Sequence, residues 1–487
     1  MTRDELLDIV DQIQKTKCET RTLEIKAAHT GCPKRLYDTL SSFSNQDDGG
    51  ILIFGVDEVN DFAECGVYDP QDLQRQINDQ CRQMEPVVRP LLTVAEKNGL
   101  FFVSAEVAGL DISERPCYYQ GRGRLKGSYV RVGDSDEPMT EYEIYSYEAF
   151  RKKYQDDIRA VPSAPLDALN QVALDSYVKR LKAEKPNLSA LPDEDVYRLM
   201  SVVRDGAPCL SAVLLFCLYP QAYFPQLAIT AIALPGQEMG EVGAAGERFL
   251  DNRRIEGSLP EMLNGALAFV IKNMRRKTVI NPDTGKREDR TEYPVTAVRE
   301  AIVNALVHRD YSEHTQGMPI RLMMFPDRLE IHNPGGIYGR LRVDQLGKVQ
   351  SDTRNPVLAT AMEVLGLTEN RYSGIPTIRR VMRENGLAEP VFADDRGTFS
   401  VTFYNAQRND SAETNRKERK TSKRDELLEF LRTPRSRQDI ADYLGVKTIA
   451  YAMKSVDPLI EQGLVVRTLP DVPRSKRQMF LRSDQVN

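Results

Sequence analysis

Residues 40–58 read "LSSFSNQDDGGILIFGVDE", and the glycine pair inside them decides how the N-terminal part folds. Gly49 and Gly50 close a polar stretch and open a continuous apolar run, Ile51 to Val56, which is too short for a helix and is flanked by turn formers. That is the pattern of a buried strand. It carries Asp57 out at its C-terminal end, where functional groups of α/β sheets gather. Upstream, "ETRTLEIKAA" (19–28) leads into a second strand. Alternate residues of an extended chain share a face, so Glu24 and Lys26 point one way and Leu23 and Ile25 the other, with Glu19 placed to fold back. Downstream, "DPQDLQRQINDQCRQM" (69–84) reads as a helix, and "LFFVSAEV" (100–107) and "GSYVRVGD" (127–134) as strands. Residues 1–150 therefore form one mixed α and β domain.

Two readings compete for residues 19–28. One is a solvated strand edge whose polar face meets water. The other gathers Glu19, Glu24 and Asp57 around a hard divalent cation, Mg²⁺ or Mn²⁺, which prefers oxygen ligands and holds together carboxylates that otherwise repel. Lys26, on the face of Glu24, would then steady a phosphate or an attacking water.

At 487 residues the chain exceeds one ordinary core, and length alone suggests about three domains. The 66 Lys and Arg against 71 Asp and Glu give a net charge of −5, which excludes the global basic footprint of a nucleic-acid coat. Any nucleic-acid contact must be local. The opening "MTRDELLDIVDQIQ" is an acidic amphipathic helix without the apolar centre of a signal peptide. No apolar run approaches the ~20 residues that span a bilayer, so the expectation is a soluble, cytoplasmic protein with no membrane partner. Seven cysteines without a CxxC pair point to reduced thiols. His29, Cys32 and Cys18 lack the second ligand pair that a structural zinc requires.

Beyond residue 150 a charged helical stretch, roughly 141 to 185, leads into "SAVLLFCL" and "LAITAIAL", which begin a second α and β domain ending near "GTFSVTFYNAQ" (397–407). Residues 151–405 are thus a helical connector and a second domain. Residues 406–423 lie in a polar, aperiodic stretch and read as a flexible linker. Residues 424–487 make a small helical unit with a terminal hairpin.

The chemistry of the second domain centres on "YPVTAVREAIVNALVHRDYSEH" (293–314). Val298, Ile302, Ala305 and Leu306 form an apolar stripe at helical spacing, and Glu300, Asn304 and His308 form a polar stripe roughly opposite. A Glu-x-x-x-Asn helix suits nucleotide chemistry: the Asn oxygen ligates Mg²⁺ between phosphates, and the Glu one turn earlier orients or deprotonates water. "IRLMMFPDRLEIHNPGGI" (320–337) follows as two strands around a Pro-Asp turn and a glycine loop. Near the N-terminus, "GRGRLKGS" (121–128) places Lys before Gly and a strand after it, so it is not a phosphate loop of the Walker type. Arg122, Arg124, Lys126 and Arg131 still make a local basic cluster.

The last segment has two short helices around "LGV", a third ending at Gly463 and a basic hairpin, the pattern of a winged helix-turn-helix. Its second helix would present Lys447, Thr448, Tyr451 and Lys454 to DNA. Arg467, Arg474, Lys476 and Arg477 would furnish a wing against phosphates.

"ETRTLEIK", "LSSFSNQDDGGILIFGVDE" and "GRGRLKGSYVRVGDS", in that order, resemble the Schlafen AlbA-like domain. Some members of that family are endoribonucleases with an acidic trio, which maps onto Glu19, Glu24 and Asp57; bacterial members are described as transcriptional regulators. "REAIVNALVHRDY", "NPGG" and "NPVLATAMEVLGLTENRYSGIPTI" resemble the ATP-binding half of RecG-like regulators, whose fold is the GHKL α/β sandwich of gyrase and histidine kinases. That resemblance makes Asn333, Gly335 and Gly336 a first glycine box, with Asn333 where the active ATPases have an adenine-reading Asp. Ser373 and Gly374 belong to a second box, in which Tyr372 replaces a glycine. The fold class implied is α+β multidomain: a Schlafen AlbA-like domain, a GHKL-type ATP-binding domain and a winged helix. The function implied is a nucleic-acid-binding transcriptional regulator, a homodimer on DNA or RNA, that binds ATP with slow turnover. The alternatives are a metal-dependent endonuclease using the trio, and a scaffold whose ligand sites are vestigial.

Overall fold

The computed structural model describes residues 1–280, 287–350, 352–368 and 373–405, and within 427–483 the residues 427, 428, 430–443, 453, 456, 459, 460, 464–468 and 478–483. Contacts divide the chain after Asn405 into two compact units.

The first unit opens with a helix, Arg3–Thr16, whose start is fixed by a capping box between Thr2 and Glu5. Its Leu6, Val10 and Ile13 are fully buried on one stripe, each contributing about 1.5–3 kcal/mol of burial. They pack with Ile25, Ile53 and Phe102 on one face of a four-stranded sheet, and with Val56 beyond the sheet. The sheet order is Leu23–Lys26, Gly50–Phe54, Leu100–Val107, Leu91–Lys97, with the first pair parallel and the others antiparallel. Its other face carries Leu52, Phe54, Val103 and Ala105 against the helices Tyr37–Ser44 and Pro70–Cys81.

The glycine pair has a physical reason at each position. Gly49 sits at φ +62, a left-handed conformation that disfavours a side chain. A Cβ at Gly50 would fall into the Phe43 ring, so the strand can approach the Tyr37–Ser44 helix only there. The apolar run does not continue to Val56 as one strand. Gly55, at φ +108, turns the chain, and its carbonyl accepts from both Cys65 and Gly66 at 2.9 Å. Val56–Asp57 then pairs with Ala63–Glu64 in a separate two-stranded ribbon.

The connector is not one helical stretch. Helices Glu141–Lys152 and Gln171–Glu184 are separated by turns, the first ending at a left-handed Lys153. A six-stranded mixed sheet follows, in the order Asp251–Ile255, Ile229–Ala233, Ile320–Met324, Arg328–Pro334, Thr398–Tyr404, Val391–Asp395. Alternate residues of its strands enter a large core with the helices Leu259–Asn273, Val295–His308, Pro356–Val364 and Gly374–Glu384. Ile232, Leu234, Met323 and Phe325 form a small separate cluster. The Val295–His308 helix buries Ala297, Val298, Ala301, Ile302, Ala305 and Leu306, while Glu300 and Asn304 stay part-exposed and His308 exposed.

Long-range contacts tie the N-terminal part and the connector to the second domain. Arg396, in the turn between the last two strands, donates to Glu137 (2.7 Å), Glu143 (3.1 Å) and the Pro138 carbonyl (3.2 Å). Asp157, fully buried in the connector, accepts from the amides of Val357 and Leu358 at 2.8 and 3.1 Å and so caps the Pro356–Val364 helix.

The second unit has a short helix, Arg437–Tyr443, and a three-stranded antiparallel sheet with Met479–Arg482 between Arg435–Ser436 and Val465–Arg467. Leu427, Leu431, Ile440, Val456, Leu459, Val465 and Phe480 are its core. Arg467 lies on a sheet strand; Lys447, Thr448, Tyr451, Lys454, Arg474, Lys476 and Arg477, and the linker 406–423, lie outside the described residues. Among the described residues no helix is long and apolar enough to cross a membrane.

Candidate functional site

The Leu23–Lys26 strand does not present its polar face to water. Glu24 is only 6% exposed, and its carboxylate is held between Lys26 and Arg131, whose Nη2 lies 2.8 Å from Oε2. Arg131 has a side chain only 1% exposed and also pairs with Asp136 at 3.0 Å. Asp136 in turn accepts from Thr39 and Ser42 at 2.6 and 2.5 Å. Arg131 thereby leaves the basic cluster that the sequence suggests and becomes the centre of a buried polar network.

Glu19 does fold back, as its Oε1 accepts from the Ile25 amide at 2.8 Å. Burial, reinforced by the nearby charges of Glu24 and Glu58, pushes its carboxyl up to about 7. Burial also works against the Lys26 charge, but the bonded Glu24 carboxylate outweighs it and raises the ammonium's pKa. Asp57 does not join this group. Its two oxygens accept from the Val59 amide (3.1 Å) and the Asn60 amide group (2.6 Å), closing its own turn. The reason is the kink at Gly55, which sends the chain into the ribbon. Beside Glu24, the further acid whose charge bears on both Glu19 and Lys26 is Glu58. Among the described residues no three His, Cys, Asp or Glu side chains are clustered to hold a metal, so the expected trio is not assembled.

In the second domain, the structure gathers Glu300, Asn304 and Gly374. A Cβ on Gly374 would strike Glu300 Oε1 and stand 3.0 Å from Asn304 Nδ2. The start of the Gly374–Glu384 helix is thus seated on the two polar residues of the Val295–His308 helix. Ser373 occupies the cap position without a side-chain capping bond. Tyr372 lies outside the described residues.

Asn333, Gly335 and Gly336 form a second group, on the loop leaving the Arg328–Pro334 strand. Asn333 is 4% exposed, and its Oδ1 has no hydrogen-bond partner. A buried acceptor without a donor is costly, and an amino group such as that of adenine would satisfy it. Gly335, at φ +102, packs against Arg354 and Asp310, and a Cβ on Gly336 would lie 2.7 Å from Asp394.

Sequence reasoning passed over these partners. Asp310 follows directly from the Val295–His308 helix, pairs with Arg354 at 3.2 Å, and accepts from Tyr142 (2.7 Å) and the Ser312 amide (2.8 Å). Burial alone would raise the Asp310 carboxyl, but Arg354 and these donors hold it below the usual range. Arg354 Nη2 also donates to the Gly336 carbonyl at 3.3 Å. The legible signal was "HRDY", where two charged residues end an apolar helix. His332 accompanies Glu330 at 2.9 Å on the same strand.

Residues 19–140 match the family model "Schlafen, AlbA_2", and residues 317–403 match "Putative ATP-dependent DNA helicase recG C-terminal". Among solved structures, the chain is similar to the DIP2311 protein from Corynebacterium diphtheriae at 19% identity, covering 99% of this chain and 98% of that one, with a TM-score of 0.40. It is also similar to the N-terminal domain of a "Putative ATP-dependent DNA Helicase RecG-related Protein" from Nitrosomonas europaea at 28% identity, covering 28% of this chain and 93% of that one, with a TM-score of 0.23. No curated protein matches the chain. The resemblances read from the N-terminal motifs and from the glycine-loop region are both borne out by the family matches. Together the two domain types fit a nucleic-acid-related, ATP-binding protein.

Proposed function

We propose that the chain is a nucleic-acid-binding regulator whose state responds to nucleotide. The observation that carries this reading is the seat of Gly374, which lies inside the 317–403 family match, on Glu300 and Asn304, which precede that match in the chain. The helix start offers backbone amides to phosphate. Asn304 would hold Mg²⁺, Glu300 would orient water, and the unpartnered Asn333 Oδ1 would accept from the adenine amino group. Mg²⁺, when bound, neutralises phosphate charge. Slow turnover follows from Tyr372 in place of a glycine where backbone must approach phosphate.

Regulation through DNA rests on the second unit. Its helix, its three-stranded sheet and the basic residues between the last two strands support a winged helix. Lys447, Thr448, Tyr451 and Lys454 would read the major groove, and Arg467, Arg474, Lys476 and Arg477 would meet phosphates. A homodimer would present two such units to two half-sites. The nuclease reading is the weaker one, since it requires Asp57 to leave its turn and Arg131 to release Glu24. The test is a duplex mobility shift with the full chain and with a chain ending at Asn405, each with and without Mg·ATP. The full chain should shift the duplex, with an affinity that Mg·ATP changes, and the shortened chain should not. An equal shift by the shortened chain would place the duplex site elsewhere.

A further inference from the structure

The basic loop at 121–128 has no part in the nucleotide site or the C-terminal unit. We infer that it forms, with Arg35, a binding surface for single-stranded nucleic acid on the N-terminal domain. This extends the nucleic-acid reading above to a site separate from the winged helix.

The loop is built rather than loose. Gln120–Arg122 and the short helix Gly123–Gly127 fold back onto the Tyr118–Tyr119 strand. The glycines of "GRGRLKG" permit it: a Cβ on Gly121 would lie 2.6 Å from the Tyr119 ring, and one on Gly127 3.0 Å from the Tyr119 nitrogen. Tyr119 stacks on Tyr37 with ring centroids 4.5 Å apart and planes 14° from parallel. Arg122 and Arg35 both lie over Tyr37, at 5.2 and 5.4 Å from its centroid, and Arg124 lies over Tyr118 at 5.8 Å. Arg122 is further fixed by a 3.2 Å bond to the Tyr129 hydroxyl.

Two guanidinium groups over one ring repel each other, and the local acids answer only part of that charge. Arg35 pairs with Asp38 at 2.8 Å, and Arg124 reaches Glu148 only at 3.9 Å. Among the described residues no carboxylate lies within 4.0 Å of Arg122 or Lys126. The surplus of exposed, ring-held cations suits a run of phosphates. Guanidinium planes are also platforms for bases, but only for bases that are unstacked and free to turn out, which favours a single strand over a duplex.

Fluorescence anisotropy on the full-length chain tests this, with labelled oligothymidylate, oligouridylate and a duplex of equal length across a salt series. The double variant Arg35→Ala/Arg122→Ala should weaken single-strand binding by roughly tenfold or more and reduce the salt slope by about 1.4, the share of two single-strand contacts. Duplex binding and thermal unfolding should not change, and the exposed Arg75→Ala control should bind as wild type. Oligothymidylate against oligouridylate tells whether the strand is DNA or RNA. No single-strand binding by wild type, or equal binding by the double variant, overturns the proposal. Absence of duplex binding by wild type, with single-strand binding dependent on Arg35 and Arg122, supports this surface and overturns only the winged-helix assignment.

Discussion

Arg131 shows how one buried cation reassigns its neighbours. With its side chain 1% exposed between Glu24 and Asp136, it converts a carboxylate that sequence spacing offers to a metal into half of a buried ion pair. Replacing it by Ala would take the shared cation from both acids, leaving Glu24 with Lys26 and Asp136 with the Thr39 and Ser42 hydroxyls, so Arg131→Ala should cost about 3 kcal/mol in chemical denaturation. A loss below about 1 kcal/mol would mean that water reaches Glu24. Glu19 gives a test by pH. Its carboxyl is raised from its ordinary 4.5 to about 7 by burial first and by Glu24 and Glu58 after it. Between those values the folded chain holds a proton that the unfolded chain has released, so the stability owed to this group falls as pH rises through that window. Glu19→Gln removes the effect while keeping an acceptor for the Ile25 amide. The melting temperature of the variant relative to wild type should therefore rise from about pH 5 to about pH 8; a constant difference would refute the burial of this carboxyl. The sequence made Glu19 and Glu24 visible as a pair because they are close in the chain. Arg131 lies far along it, and nothing local marks it as buried.

At the scale of elements, period and punctuation carried most of the fold. The strand Leu100–Val107 lies where its apolar run lies, and the helix Val295–His308 buries the stripe that its 3.6-residue spacing defines. The run from Ile51 to Val56 reads as one strand because apolarity does not report φ. Gly55 could have been either a strand glycine or a turn, and its left-handed conformation made it a turn that removed Asp57 from the acidic pocket. The contact between two helices at Gly374 was likewise invisible, since Glu300 and Gly374 lie far apart in the sequence. It predicts a separation of binding from stability. Gly374→Ala meets only the ends of two side chains, which can move, so stability should change by less than about 1 kcal/mol. Mg·ATP affinity should nonetheless fall, because the side chains that must move aside, Glu300 and Asn304, are those proposed to orient water and hold Mg²⁺. Unchanged affinity, measured by nucleotide-dependent thermal shift, would detach this seat from the nucleotide site.

For the whole molecule, the sequence marked a change of character after residue 405, and the contacts divide the chain there. It did not mark how firmly the N-terminal part and the six-stranded sheet are joined. Arg396 reaches Glu137 and Glu143, and Tyr142 reaches Asp310 beside the glycine loop. Long-range pairs of this kind follow from the folded arrangement of separate elements, and no window of sequence contains them. They put the glycine loop, the connector helix and the N-terminal hairpin in one contact network, so a nucleotide bound in the second domain would touch groups that also hold the first. All of this depends on the nucleotide binding at all. Calorimetric titration of Mg·ATP into the full-length chain and its Asn304→Ala variant tests that most directly. The account predicts saturable binding by wild type and at least about tenfold weaker binding by the variant, a loss of about 1.4 kcal/mol, with unchanged thermal unfolding of the free protein. No binding at nucleotide concentrations in the millimolar range, or equal binding by the two proteins, would contradict it.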